Sequence, residues 1–485
     1  MQSTIKKKSL SAVLWSGGDI FMRQGLQLVV AIVLARLLSP EEFGTVALLY
    51  LFTGIATTLV EGGLCSALVQ QRDVTYTDEC TVFWINLLMG GIMTLLLWLI
   101  APWIASFYKA SLLVPLARVL AITVLISALG AVHRAIIGKK LEFKTFMKIS
   151  GTSSVLSALT AIPLAMKGYG VWALVGQMVV VSVVSTILLW YYSGWRPKLD
   201  FSVDSAKRLF GYGGYLMFAE LLDVVYSKIY TLLIGKLYGV RDLGFYSRAD
   251  NTKQIPVDIL SNTLASATFP IFSNVTNDLE KLRRGVQLSV RGAMLINIPI
   301  MMGLYATSAH LITVMFGEKW LPSVPLLQIL CFVGLVWPLH VINLNVLKAL
   351  GHSRLFFRLE IIKKVIGVIL ILLAIPYGMV GIAWSQVILG IFSFWIEAFY
   401  TRRYIAYGFV EQTKDFLPIL FVSVVMVYVV NYVGVYVVGS SFLVLPVQVV
   451  AGAILFVMLC IIFRIKSFEV VRDLLLRRKQ QPNGV

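Results

Sequence analysis

About fourteen stretches of roughly twenty mainly apolar residues, each long enough to cross a bilayer as a helix, follow one another along the chain. They lie near residues 10–35, 43–66, 81–106, 112–136, 149–167, 171–193, 208–235, 251–272, 287–316, 323–349, 357–376, 379–400, 416–438 and 442–463. The breaks are glycines, prolines or charge clusters, such as Ser39-Pro40-Glu41-Glu42 and Pro376-Tyr377-Gly378. Only helices and closed barrels satisfy their backbone groups in lipid, and runs of this length predict an all-α polytopic membrane protein. Composition decides the same point: 58% of the 485 residues are hydrophobic and 14% are charged. A soluble globule cannot hide that much apolar surface, and a disordered chain would not carry it.

The net charge is +18. In a soluble chain this would suggest nucleic acid. Here the basic residues sort by loop: with the N-terminus in the cytoplasm, about 31 of the 42 Lys and Arg fall on cytoplasmic segments and about 8 outside. One miscounted span would reverse every later loop, so both termini are expected in the cytoplasm, with no nucleic-acid partner. Lys6, Lys7 and Lys8 precede an apolar run from Leu10 to about Leu38 that carries Asp19 and Arg23, which reads as an uncleaved first helix. The outside loops are short and leave no room for an extramembrane catalytic domain. From Arg464 to Lys479, basic residues alternate with Phe468, Val470, Val471, Leu474 and Leu475, as in a helix lying on an anionic leaflet. Cys65, Cys80, Cys331 and Cys460 show no paired spacing, and His133, His310, His340 and His352 show no ligand spacing, so neither a disulfide framework nor a metal is expected. No GxxxxGK[ST] occurs, which argues against ATP hydrolysis and leaves no cofactor implied. Trp103, Tyr108, Trp190, Tyr191, Tyr192, Trp195 and Trp320 sit near span ends and read as an interfacial belt.

The chain echoes itself. Arg36-Leu37-Leu38-Ser39-Pro40-Glu41-Glu42-Phe43-Gly44 matches Lys236-Leu237-Tyr238-Gly239-Val240-Arg241-Asp242-Leu243-Gly244 in a basic residue, a leucine, an acidic residue and a glycine at an offset of 200. Gly170-Val171-Trp172-Ala173 echoes Gly381-Ile382-Ala383-Trp384, and Gly138 to Phe143-Lys144 echoes Gly351 to Phe357-Arg358. Three echoes in order predict a six-helix unit used twice: lobes at 1–200 and 201–410, an extra transmembrane hairpin at 411–463 and a cytoplasmic amphipathic tail at 464–485. Six is even, so both lobes enter the membrane in one direction, as in transporters that hold substrate between halves.

Ionisable groups at bilayer depth are costly and mark wet cavities or partners. Asp19, Arg23 and Gln27 are spaced four apart on one helix face. Span 7 carries Glu220, Asp223, Ser227 and Lys228, span 2 Glu61, span 4 Arg118, span 8 Asp258, span 11 Glu360 and Lys364, and span 12 Glu397. Two readings stand. Arg23–Asp223 and Glu360–Lys364 lock helices as ion pairs, or Arg23, Arg118, Lys228 and Gln27 receive an anionic substrate in a central cavity. In the second, Asp19, Glu61, Glu220 and Asp223 balance charge or bind a coupling H⁺ or Na⁺. Guanidinium suits phosphate because its planar fork meets it bidentately.

Ala35-Arg36-Leu37-Leu38-Ser39-Pro40-Glu41-Glu42-Phe43-Gly44, Gly168-Tyr169-Gly170-Val171-Trp172-Ala173-Leu174 and Gly244-Phe245-Tyr246-Ser247-Arg248-Ala249 together resemble the polysaccharide transporter family. These are the Wzx-type flippases of the multidrug/oligosaccharidyl-lipid/polysaccharide exporter superfamily. The likeness covers most of the chain and is nearest the colanic-acid and teichuronic-acid exporter branch. It implies twelve or fourteen helices in two six-helix lobes around a cationic cavity. It also implies ion-driven flipping of undecaprenyl-diphosphate-linked oligosaccharide repeats across the bacterial inner membrane for lipopolysaccharide or exopolysaccharide synthesis. A polymerase and a chain-length regulator are the partners it implies, besides membrane lipids. The family has no strict catalytic motif, so the cavity residues rest on depth and charge. A cation-coupled drug antiporter of the same superfamily, served by Asp19, Glu61 and Asp223, is the nearest alternative. A membrane-embedded polysaccharide polymerase is the alternative from another class, and the short outside loops weigh against it.

Overall fold

The computed structural model describes residues 25–71, 73–140, 142–437 and 439–469. Asp19, Arg23 and the tail from residue 470 lie outside the described residues. The described chain is helical: α1 (Gly25–Leu37), α2 (Pro40–Glu61), α3 (Gly63–Gln70), α4 (Tyr76–Tyr108), α5 (Leu113–Lys139), α6 (Phe143–Met166), α7 (Val171–Ser193), α8 (Val203–Ser227), α9 (Ile229–Leu237), α10 (Val240–Ser273), α11 (Leu279–Phe316), α12 (Val324–Ala349), α13 (Ser353–Ala374), α14 (Gly378–Ile405), α15 (Phe409–Tyr436) and α16 (Ser441–Ile462). Each expected span from the second onward coincides with one helix or with a broken pair, and the described part of the first, from residue 25, is helical. Among the described residues, ten helical stretches are long and apolar enough to cross a membrane, α2 with α3 and α13 with α14 each counting as one. The exceptions are α1, described over 13 residues, and α8–α9 and α10. The last two carry Asp204, Lys207, Arg208, Glu220 and Asp223, and Arg241, Asp242, Arg248, Asp250, Lys253 and Asp258. The protein is thus an all-α, multi-pass membrane protein.

The chain forms two compact units, divided between Ser247 and Arg248. In unit 1, α5 packs against α2, α4 and α7, α6 pairs with α7, and α8 lies against α2, α3 and α4. In lipid, close packing needs small residues where helices meet. Gly90 of α4 faces the Ala128 methyl of α5, and Gly130 of α5 faces Thr186 of α7, which donates to the Ile126 carbonyl at 3.1 Å. The α3–α8 crossing uses a glycine pair: a Cβ on Gly63 would fall 2.5 Å from the Gly213 carbonyl carbon, and one on Gly213 2.6 Å from the Gly63 oxygen. The link 194–202 is fastened to the start of α4. Trp84 Nε1 donates to the Lys198 carbonyl (2.8 Å), the Ser202 N–H to Thr81 Oγ1 (3.1 Å), and Arg208 pairs with the buried Asp78 (2.6 Å). These ties fix where α8 begins.

Unit 2 is built on the 38-residue α11, which packs against α12, α14, α15 and α16. Its core runs through Met294, Ile298, Leu339, Ile342, Phe394, Ala398, Ile419 and Val422. Several of its buried polar groups pair with one another or with backbone carbonyls, as burial away from water favours. Asn297 donates to the Gly334 and Leu335 carbonyls (3.1 and 2.9 Å), Asn343 and Gln412 exchange amide bonds (3.0 and 2.8 Å), and Asp415 receives Arg291 (2.6 Å), Gln287 (2.8 Å) and the Tyr407 hydroxyl (2.8 Å).

Two expected belt aromatics prove to be core. Trp320 is 0% exposed and Trp195 is 8% exposed. The Trp320 and Phe316 rings cover the Arg248 guanidinium (4.8 and 4.5 Å from Cζ to the ring centroids), and Trp195 packs on Phe83 and His133. Trp103 and Tyr191 are exposed, as a belt requires.

Candidate functional site

Span 2 is not one helix. α2 ends at Glu61 and α3 begins at Gly63, with Gly62 between them at φ −61° and ψ −130°. Span 7 breaks likewise at Lys228, between α8 and α9. Broken helices at membrane depth are tolerated where protein or water surrounds the freed backbone, and in transporters they line binding sites. Charged side chains gather at the first break. Glu61 pairs with Arg134 of α5. Glu220 of α8 reaches the same place, its Oε2 lying 2.8 Å from where a Cβ on Gly62 would sit. Asp223 follows one turn later on the exposed face of α8. The break at Gly62 is thus flanked by Glu61, paired with Arg134 near the end of α5, and by Glu220 of α8. The pair Glu61–Arg134 is 73 positions apart in sequence, a separation that no local pattern reveals.

The other expected site residues are placed elsewhere. Arg118 lies sixteen positions before Arg134 on α5, about 24 Å along the helix. Its guanidinium stacks on Trp98 of α4 at 4.1 Å, and its buried Nε has no hydrogen-bond partner. Cation–π contact suits a cation held at the margin of an apolar layer. Gln27 is exposed on α1, and Lys228 is half-buried at the α8–α9 break. Arg23 and Asp19 lie outside the described residues.

The three resemblance-bearing segments meet at the end of unit 1 that holds the α1–α2, α6–α7 and α9–α10 junctions. Ser39 starts α2 with a capping box: its N–H donates to Glu42 Oε2 (2.6 Å) and its Oγ accepts from the Glu42 N–H (3.4 Å), with Pro40 in the first turn. Gly44 sits against α10, where a Cβ would fall 2.7 Å from the Val240 carbonyl carbon and 2.9 Å from the Gly244 nitrogen. Gly244 sits in turn against α2, 2.7 Å from the Pro40 carbonyl carbon by the same measure. Between them Glu41 meets Arg241 at 3.1 Å. Position 40 answers to 240, 41 to 241 and 44 to 244, so the two copies of the echo contact each other reciprocally, as patches related by a local twofold do. Gly170, at φ +56°, lets Glu42 Oε1 approach where a side chain would stand. These motifs are packing devices that set helix starts.

Unit 2 holds a second buried constellation that the sequence reading dispersed over three spans. Glu397 of α14 is 0% exposed and accepts from His340 Nδ1 of α12 (2.8 Å) and from Lys363 Nζ of α13 (2.8 Å). Lys363 also pairs with Glu360 at 2.5 Å. Among the described residues no group of three His, Cys, Asp or Glu is arranged to hold a metal ion.

Comparison with known proteins follows this geometry. The sequence profile described as "polysaccharide biosynthesis protein" matches residues 33–325. The chain is 29% identical over 422 residues to the teichuronic acid biosynthesis protein TuaB of Bacillus subtilis (strain 168), covering 85% of this chain and 87% of that one. It is 29% identical over 342 residues to the lipopolysaccharide biosynthesis protein WzxC of Escherichia coli (strain K12), covering 69% and 68%. Among solved structures, the inward closed conformation of the lipid II flippase MurJ superposes with a TM-score of 0.75 at 17% identity, covering 96% of this chain and 100% of that one. An inward-facing multidrug resistance transporter of the MATE family and MOP superfamily gives 0.61 at 17% identity, covering 81% and 98%.

Proposed function

The chain belongs to the family of polysaccharide biosynthesis proteins, and we propose that its part in that biosynthesis is to flip a lipid-linked oligosaccharide across the membrane. The substrate class is an undecaprenyl-diphosphate-linked repeat unit. The membrane is the bacterial inner membrane, with both termini cytoplasmic, and the site opens alternately to the two sides under an ion gradient of H⁺ or Na⁺. The observation that carries the reading is the family match over residues 33–325. The structure supports it with a broken, charged α2–α3 and α8–α9 among helices most of which are long and apolar enough to cross a membrane. A diphosphate headgroup and sugars need polar groups at depth, and the tail needs lipid. Lys228 and Arg134 supply cations near the breaks, while Glu61, Glu220 and Asp223 balance them when no substrate is bound. A polymerase and a chain-length regulator downstream would use the flipped repeat.

The carboxylates at the first break favour one other reading, a cation-coupled drug antiporter. The discriminating experiment is reconstitution. Vesicles holding the purified protein should move a fluorescent polyprenyl-diphosphate-linked oligosaccharide to the inner leaflet, out of reach of an added quencher. Protection no faster than in empty vesicles, together with uptake of cationic dyes, would overturn the flippase reading in favour of the antiporter.

A further inference from the structure

We propose that one face of α10 in unit 2, carrying Asn251, Gln254, Asp258, Asn262 and Phe269, is a track for the sugar part of the substrate. The inference rests on the transport reading above and deepens it, because it assigns the sugars, rather than the diphosphate, to named residues.

α10 is 34 residues long, about 51 Å at 1.5 Å per residue, which is enough to cross a bilayer. Its two sides are unlike. Ala249, Thr252, Lys253, Val257, Thr268 and Phe272 recur at helical spacing and are buried. That side is fastened to α12. Val257 Cγ2 and Lys253 Cγ lie 3.1 and 3.4 Å from where a Cβ on Gly334 would sit, and Asn345 Nδ2 donates to Thr268 Oγ1 at 2.9 Å. On the other side Asn251, Gln254, Asp258 and Asn262 follow at intervals of three, four and four, and Phe269 falls five turns after Asn251, on the same line. Asn251, Asn262 and Phe269 are exposed, and Gln254 and Asp258 are half-buried. From Asn251 to Asn262 the stripe is about 16 Å long, room for several linked sugar rings.

A polar stripe of this kind is costly against lipid tails, so it faces water or a polar ligand. Each of the two asparagine amides offers two donors and a carbonyl. Among the described residues, neither makes a hydrogen bond to protein. Gln254 Nε2 donates to Asp258 Oδ1 at 2.6 Å, which orients the carboxylate and leaves Oδ2 to accept. A planar amide or carboxylate meets neighbouring hydroxyls of a sugar ring, which both donate and accept. The Phe269 ring offers a flat apolar surface for the C–H face of such a ring. What the stripe lacks points the same way. A diphosphate calls for cations, and the nearest ones on α10 are engaged elsewhere. Arg248 lies under the Trp320 and Phe316 rings at 4.8 and 4.5 Å, while Lys253 is 6% exposed and pairs with Asp250 at 2.8 Å. The charge on the stripe itself is the Asp258 carboxylate, which repels phosphate. Amides, a carboxylate and an aromatic ring without a cation suit uncharged, hydroxyl-rich rings.

Binding to the purified full chain in phosphatidylethanolamine–phosphatidylglycerol nanodiscs tests this with two probes. One is the free oligosaccharide released by mild acid from the lipid-linked pool of the producing strain, and the other is inorganic diphosphate. In equilibrium dialysis the wild-type chain should retain the oligosaccharide. The double variant Asn251→Ala, Asn262→Ala places a good helix former at two exposed positions. It should weaken oligosaccharide binding by about tenfold or more and diphosphate binding by less than about twofold. Should the double variant not fold, Asp258→Asn, which keeps the size of the side chain, decides by the same comparison. No retention of the oligosaccharide by the wild-type chain, unchanged retention by the variants, or equal weakening of both probes would overturn the sugar track. A chain that binds the oligosaccharide in dialysis but moves no lipid-linked repeat in the vesicle assay would overturn the flippase reading and leave the track standing.

Discussion

Gly44→Ala is the sharpest test of the reciprocal motif contact. The new methyl carbon would fall 2.7 Å from the Val240 carbonyl carbon and 2.9 Å from the Gly244 nitrogen, and closer still to the carbonyl oxygen. All three are backbone atoms of α10, so no rotamer change relieves the clash and α2 and α10 must move apart. Overpacking of this kind costs about 1–3 kcal/mol, occasionally more. Gly54 on the same helix is the control, because nothing lies within 4 Å of its added Cβ. There, alanine should gain about 0.5–1 kcal/mol from helix propensity. The two variants should differ by about 1.5–4 kcal/mol, which at about 2 °C per kcal/mol for a unit of about 250 residues is a gap of at least about 3 °C in Tm. Thermal unfolding in detergent, followed by intrinsic fluorescence, measures it. Equal Tm values for Gly44→Ala and Gly54→Ala would refute the close packing of α2 on α10.

Asp415→Asn leaves Arg291 without its ion pair in unit 2, and a loss of about 3 kcal/mol is expected, read as a lower Tm. Glu61→Gln and Arg134→Ala should each cost about 1 kcal/mol or less, since both side chains are partly exposed, and the double variant should cost less than their sum in a double-mutant cycle. Asp278 caps α11, and the Lys281 N–H and ammonium hold its carboxyl below the usual range. A depressed folded-state pKa makes its contribution complete above about pH 3.9 and lost as pH falls through the folded value. Amide exchange in the first turn of α11 should therefore stay flat from pH 7 to 5, after correction for intrinsic rate, and rise only in stronger acid.

Much of the fold is legible because hydropathy reports length and Ser39-Pro40-Glu41-Glu42 spells a capping box. The signature echo at offset 200 also points to two segments that do touch, Pro40 with Gly244 and Gly44 with Val240. What the sequence conceals is what depends on which helices become neighbours. Gly62 reads equally well as a helical glycine or a break. Trp320 and Trp195 read as belt residues by their place near span ends, yet their rings cover Arg248 and His133. Glu61 could not be matched to Arg134, nor Glu397 to His340 and Lys363, because each pair joins different helices. Glu360 pairs with Lys363, three positions on, a contact that the sequence analysis did not single out.

The most direct test of the central claim is the leaflet distribution of the lipid-linked oligosaccharide in a strain lacking this chain, measured beside its surface polysaccharide. The flippase account predicts that the repeat accumulates on the cytoplasmic leaflet while the polymer disappears. A repeat that reaches the outer leaflet at the normal rate without this chain would contradict it.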